Sequence, residues 1–293
     1  MPLRIGCRAD DIDKHEFDVN SLLFHNGKLY SAADDGKIKM WTPDLTKITE
    51  VQSNPCSVYC LAASENTLFS CSNEGTIKSF DSDTLEEKGE LIRDSLAEFW
   101  SLSYSNGVLY SGDSEGYIKF WKNGEVIGSL SIGEPVKDMV VFDNKIFSVK
   151  DLDLVITDLS TSAEKQEGSK QSFMGRAPVT TVGKEYFSFV SREGTDLFVH
   201  ENNNQSHFRA VTKVKGAHEK IINALAGAKW NEKNIIFSGG WDKLVKKWII
   251  ENNRLKLDSA CDVEIVVNSI VTGEEEEIYV AGSDGHILRL EDE

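Results

Sequence analysis

Gly27-Lys-Leu-Tyr-Ser-Ala-Ala-Asp-Asp-Gly-Lys-Ile-Lys-Met-Trp41 and Gly107-Val-Leu-Tyr-Ser-Gly-Asp-Ser-Glu-Gly-Tyr-Ile-Lys-Phe-Trp121 are two copies of one phrase. Weaker copies stand at 67–80, 235–248 and 278–290. The first copy reads as strand, tight turn, strand. Leu29-Tyr30-Ser31-Ala32 is followed by Asp34-Asp35-Gly36, and then Ile38 and Met40 alternate with Lys37, Lys39 and Trp41. An acidic-Gly pair between such segments is a hairpin signal, and alternation is the period of a strand. Short strands that return about every 40 residues mark a repeat architecture.

Working outward, the same frame fits seven times, with first strands starting near Val19, Val58, Phe99, Val136, Val179, Ile222 and Val267. Each frame has room for four strands. The expected fold is therefore all-β, a seven-bladed propeller forming a single unit over residues 1–293. Gly36, Gly75, Gly116, Gly194 and Gly285 take the same turn position, where a positive φ is cheap for glycine. The seventh frame ends on its third strand, Ile287–Leu290, and Leu3–Arg8 is a spare strand at the other end. An open seam would expose sheet edges, so residues 3–8 are expected to complete the last blade. Units four and five, 134–201, are degenerate. The polar stretch 160–172 reads as a mobile loop beside a weak outer strand, 201–206 as a long hairpin loop, and 274–277 as a solvated turn.

Bulk properties narrow the function classes. Apolar residues make up 40% and charged residues 27% of the 293, an ordinary globular balance. No apolar run reaches the roughly 18–20 residues of a membrane span, and the first residues lack a signal-peptide core, so a cytoplasmic and/or nuclear location is expected. Five cysteines (Cys7, Cys56, Cys60, Cys71, Cys261) form no zinc spacing and read as reduced thiols. The sequon at Asn204 has no secretory context. The net charge of −16 argues against direct nucleic-acid binding and against anionic membranes, and favours basic peptides or basic protein patches. His25, His200, His207 and His286 read as turn or surface residues.

The units resemble WD40 repeats over nearly the whole chain. The sixth is the clearest, with Gly216-Ala217-His218, Phe237-Ser238-Gly239-Gly240-Trp241-Asp242 and Val245-Lys246-Lys247-Trp248. The resemblance implies a structural tetrad of His218, Ser238, Asp242 and Trp248, and another of His15, Ser31, Asp35 and Trp41. In such tetrads Trp, Ser, His and Asp form one hydrogen-bonded chain, so the Ser/His/Asp set is structural rather than a nucleophilic triad. The other units lack the full set. Unit two offers Asn54, Glu74 and Phe80, unit three Ser95, Glu115 and Trp121, and unit seven Asp284 and Leu290, so these are expected to lean on apolar packing. Trp241 is read as part of its turn.

The resemblance also implies partner binding near the central channel, on the face carrying the loops into each innermost strand. By position, that face receives Asn20, Tyr59, Trp100, Lys137, Thr180, Asn223 and Asn268, with Asp34, Asn73, Ser114 and Ser283 from the turns and the acids Asp18, Glu98 and Glu115 nearby. Tyr59 and Trp100, on adjacent units beside Asn20, Asp34, Lys137, Asn223 and Asn268, make a peptide platform. No phosphate loop, metal-ligand spacing or nucleophile motif is legible, and no cofactor is implied. The expected role is a non-enzymatic scaffold, a monomeric propeller within a larger complex that binds other proteins or peptides. The alternatives are a reader of a basic, modified peptide tail on the top face and a propeller hydrolase.

Overall fold

The computed structural model describes residues 3–93, 96–159 and 169–292. Residues 160–168 of the expected loop, and Ser95, lie outside them. The strands in chain order are β1 (Leu3–Arg8); β2 (Val19–His25), β3 (Lys28–Ala33), β4 (Lys37–Trp41) and β5 (Lys47–Gln52) in blade one; and β6 (Val58–Ser64), β7 (Thr67–Ser72), β8 (Thr76–Asp81) and β9 (Glu87–Arg93) in blade two. Blade three holds β10 (Phe99–Ser105), β11 (Val108–Asp113), β12 (Tyr117–Lys122) and β13 (Glu125–Ser131). Blade four holds β14 (Asp138–Phe142), β15 (Lys145–Val149), β16 (Asp153–Asp158) and β17 (Ser169–Met174). Blade five holds β18 (Arg176–Val182), β19 (Tyr186–Val190), β20 (Leu197–Glu201) and β21 (Ala210–Val214). Blade six holds β22 (Ile222–Trp230), β23 (Lys233–Gly240), β24 (Leu244–Glu251) and β25 (Arg254–Asp262), and the seventh has β26 (Val267–Thr272), β27 (Ile278–Gly282) and β28 (Ile287–Asp292).

These strands form seven antiparallel four-stranded sheets. The last has the order β1-β28-β27-β26, with Leu3 opposite Asp292 and Ile5 opposite Leu290. The N-terminal strand thus seals the ring. The turn glycines 36, 75, 116, 194 and 285 all have positive φ. At Gly285 a Cβ would also fall 1.9 Å from the His15 carbonyl oxygen, so this turn of blade seven touches the entry loop of blade one. In blade four the first strand begins at Asp138, two residues beyond the expected start, because the Val136 and Lys137 amides bond Asp113 and Val149 carbonyls instead.

The core is divided into seven apolar wedges, one at each seam between neighbouring sheets. Between blades one and two, Tyr30, Ala32, Ile38 and Met40 meet Val58, Leu61, Leu68 and Phe80. Between blades six and seven, Phe237, Val245 and Ile249 meet Val267, Val280 and Leu288, with Leu3 added. Strand alternation gives every sheet two apolar faces, and each is buried against a neighbour.

Polar latches cross the seams near the axis. Side-chain acceptors on one innermost strand take backbone N–H groups of the next. Ser21 accepts from Leu61 at 3.2 Å, Cys60 from Leu102 at 3.3 Å, Ser103 from Val141 at 3.0 Å and Asp138 from Val179 at 2.8 Å. Thr180 accepts from Gly227 at 3.2 Å and Ser269 from Leu22 at 3.0 Å. At the remaining seam, between blades six and seven, the equivalent residue is Ala224, which has no acceptor to offer. Cys60 is therefore more than core filler, and burial pushes its thiol up to about 11.

Candidate functional site: the channel mouth

The innermost strands line a central channel, and their entry loops ring one mouth of it, here the top. Five of them carry a register shift one residue after their start. These fall between Val19 and Ser21, Val58 and Cys60, Phe99 and Ser101, Ile222 and Ala224, and Val267 and Ser269. The residues skipped by the ladder are Asn20, Tyr59, Trp100, Asn223 and Asn268. A bulge re-aims its side chain, which is why these five turn toward the axis.

With Glu98 and Lys137 they line one cavity of about 430 Å³, which continues into a deeper one of about 300 Å³ bounded by Ser21, Cys60, Asp138, Pro178 and Ser269. Six of the seven residues expected on the platform therefore share a cavity. The seventh, Asp34, reaches it through Asn20, whose Nδ2 donates to the Asp34 carboxylate at 2.7 Å and to the Val58 carbonyl at 3.2 Å. The other loop residues turn elsewhere. Thr180 is a latch, the Ser114 and Ser283 hydroxyls accept from Glu98 and Val266 amides, and Asn73 accepts from the Cys56 thiol. Asp18 accepts from the Asp284 amide and Glu115 is exposed.

The two halves of the mouth differ chemically. Blades six, seven and one present amides: Asn223 donates to Asn268 at 3.4 Å and Asn268 to the Val19 carbonyl at 3.3 Å. Blades two to four present rings and charges. The Trp100 indole N–H donates to Glu98 at 2.7 Å, and the Lys137 ammonium stands 4.0 Å from the Trp100 ring centroid. Burial, then the charges of Glu98 and Asp34, push the Tyr59 hydroxyl above its usual range. Tyr59 thus lies in the field of two carboxylates. Asp138, deeper in the channel, is raised by burial against two backbone N–H bonds.

The tetrads lie away from the mouth, inside the blades. The Trp41 indole donates to Ser31 at 2.9 Å, Ser31 donates to His15 Nε2 at 2.7 Å, and His15 Nδ1–H donates to Asp35 at 2.9 Å. In blade six the same bonds run Trp248 to Ser238 at 2.8 Å, Ser238 to His218 at 2.7 Å and His218 to Asp242 at 2.9 Å. These donor roles are the set that satisfies every group with a neutral imidazole. Burial lowers both histidines despite the facing carboxylates. Asp35 and Asp242 are lowered too: burial opposes this, but the hydrogen bonds from His15 and His218 and from neighbouring backbone N–H groups outweigh it.

Some of this was missed in the sequence. Blade two has a polar substitute rather than packing alone: Ser53 donates to Asn54 at 2.9 Å and lies 3.1 Å from the Ser70 hydroxyl, and Asn54 donates to Glu74 at 3.4 Å. Blade three keeps the Trp121 to Ser111 bond at 2.8 Å. Lys39 and Lys246, two residues before each tetrad Trp, clasp the loop carrying the tetrad His by donating to the Asp13, Lys14 and Ala217 carbonyls. The repeated Ile-Lys or Val-Lys step before the Trp was the available signal.

His200 corrects an expectation. It is 8% exposed rather than superficial, and sits among Phe173, Phe187, Phe189 and Phe208 with Nδ1 donating to the Phe208 carbonyl at 2.9 Å. The hairpin of blade five has one residue more between its turn glycine and this point than that of blade one has before Trp41. That flips the alternation. His200 pairs with Phe187 and faces blade four, where other blades hold their Trp.

Comparisons with known proteins agree with this architecture. Residues 7–42 match the family described as WD domain, G-beta repeat. The ribosome biogenesis protein WDR12 homolog of Arabidopsis thaliana is 32% identical over 89 residues, 30% of this chain and 19% of that protein, so the match spans about a fifth of the relative. The WD40 β-propeller domain of Doa1 superposes with a TM-score of 0.82 at 18% identity, covering 99% of this chain and 97% of that one. The structure of U3-55K gives 0.82 at 14% identity, with 99% and 98% covered. Repeat phrase, closed ring of seven blades and these likenesses together give the chain the fold of a seven-bladed β-propeller of the WD40 type, with residues 7–42 matched to the repeat's family model.

Proposed function

We propose that this propeller is a non-enzymatic scaffold whose top-face mouth receives a cationic side chain of a partner protein or peptide. One observation carries the reading. The Trp100 ring face already holds an ammonium, that of Lys137, at 4.0 Å, and the carboxylates of Glu98 and Asp34 stand at the same mouth, bonded to the Trp100 indole and to Asn20 at 2.7 Å each. A ring face with a carboxylate bonded to its N–H is electron-rich and attracts cations. An incoming Lys or Arg would displace Lys137 and meet the two carboxylates, and the amides of Asn20, Asn223 and Asn268 would bond its peptide backbone. Binding rather than catalysis is supported by the fate of the Ser/His/Asp groups. Ser31 and Ser238 are 0% exposed, and each is engaged by both an indole and an imidazole.

The test is a pull-down with the wild-type chain and a Tyr59→Ala/Trp100→Ala variant, followed by titration of the recovered partner's basic segments. Loss of a defined subset of partners, with a basic segment that binds wild type alone, is the expected result. Retention of every partner removes the mouth as a binding site. A second reading, work within ribosome assembly in the nucleus, rests on the 89-residue likeness to a protein named for ribosome biogenesis. Co-sedimentation of the tagged chain with pre-ribosomal particles tests it, and a purely cytoplasmic, particle-free distribution overturns it.

A further inference from the structure

The acidity of the chain is uneven. Residues 209–256 contain eleven Lys or Arg against four Asp or Glu, a net +7, so the remainder of the −16 chain carries −23. This basic segment covers the first three strands of blade six and the start of its fourth, with the outer strand and loop leading into the blade; taken to the end of the fourth strand, with Asp258 and Asp262, the net charge is +5. Several of its cations are committed to the fold. Lys246 donates to Ala217, Lys247 is buried against Asp258 and Asp292, Lys213 pairs with Asp196 at 3.0 Å and Lys229 with Glu185 at 3.0 Å.

Two others are not. Lys220 and Lys243 are exposed and make no ion pair among the described residues. They stand on the two top-face loops of blade six, with Lys215 on the first of these loops beside Asp196. Hydrogen bonds hold the loops together: the Trp241 amide donates to the Ile221 carbonyl at 2.9 Å and the Glu219 amide to the Asp242 carboxylate at 3.2 Å. Trp241 lies on the second loop, two residues before Lys243, and its amide is bonded to Ile221, the neighbour of Lys220. The residue is 53% exposed, on a molecule whose other tryptophans are buried or partly buried.

We infer that this basic, Trp-centred rim of blade six is a second docking surface, for an acidic peptide segment carrying one apolar side chain. The apolar group covers the Trp241 ring and flanking carboxylates pair with Lys220, Lys243 and Lys215. Aromatic anchors are frequent hot spots, and complementary charges around them steer the encounter and set partner choice. The extent of the patch selects a short peptide over a nucleic acid. Asp196, Glu219 and, past the Lys243–Val263 backbone bond, Asp262 and Glu264 border it, while the Asp242 carboxylate turns inward to His218. An extended polyanion would run on past the lysines onto those carboxylates, whereas a short acidic segment ends inside the patch. None of Lys215, Lys220, Trp241 and Lys243 lines the cavity of the channel mouth.

The probe is a short synthetic peptide of Glu and Asp with one central Leu, titrated into the intact protein and followed by amide chemical shifts and Trp fluorescence. Saturable, salt-sensitive shifts confined to loops 215–221 and 241–243 are expected. Lys220→Glu/Lys243→Glu should weaken binding by ~tenfold or more at unchanged thermal unfolding. Trp241→Phe should abolish the fluorescence response, and Tyr59→Ala/Trp100→Ala should leave binding intact. No saturation, or affinity unchanged in the charge-reversed variant, overturns the inference. So does a uridine oligonucleotide that binds the same loops more tightly than the peptide. Self-association of the free chain that disappears in Lys220→Glu/Lys243→Glu overturns it in favour of a second copy as occupant.

Discussion

At the scale of single residues, the polar groups that look reactive are the ones most fully consumed. Ser238 satisfies an indole N–H and an imidazole nitrogen at once, so removing one member strands the others in a buried place. His218→Ala and Trp248→Phe should each cost about 1–3 kcal/mol, measured by denaturant unfolding. Both tetrads also set a pH dependence. His15 and His218 are held below the ordinary histidine value of 6.5, so below that value the unfolded chain binds more protons than the folded one. Stability should be level above pH ~7 and decline on acidification through ~6, with the lowered Asp35 and Asp242 adding to the loss only near and below ~4. Thermal unfolding across this range checks it, and the decline from pH ~7 should be shallower in His218→Gln. The tetrads could be read in the chain because all four members sit at fixed offsets within one repeat. His200 could not, because its position turns on a one-residue change in hairpin length and its aromatic surroundings include Phe173 from the preceding blade.

At the scale of strands, the bulge is the device that makes the mouth. One unpaired residue at the head of an innermost strand turns a side chain that would enter a seam toward the axis, and five blades repeat it. The mouth was therefore legible as the position after each anchor, although the bulge itself leaves no mark in composition. The pairing of β1 with β28 was legible for another reason: the last unit is short by one strand and the first segment is surplus. Deleting residues 1–8 should leave β28 as a bare edge. The expected result is a lower unfolding midpoint together with concentration-dependent association in size-exclusion chromatography. A monomer with unchanged unfolding would contradict the sealing role.

At the scale of the whole molecule, the ring is held by seven wedges and, at six of the seven seams, a latch near the axis. No single repeat reveals these latches, since donor and acceptor come from neighbouring units. The seam of blades six and seven has Ala224 where blade one has Ser21, and Ile270 is the counterpart of the donor Leu61. Ala224→Ser should restore the bond and raise stability by about 0.5–1 kcal/mol, read from denaturant midpoints. A loss instead would mean that the added oxygen finds no N–H. The shared seventh sheet has a kinetic consequence as well. Six sheets are woven from contiguous chain, but the remaining one needs β1 together with β26, β27 and β28, which follow it by more than 250 residues. During synthesis on the ribosome, that early strand must wait, uncommitted, until the final hairpin emerges. In a crowded polysome the nearest late hairpin can belong to another nascent copy, so exchange of the first strand between neighbours is the misassembly to which this ring is most open.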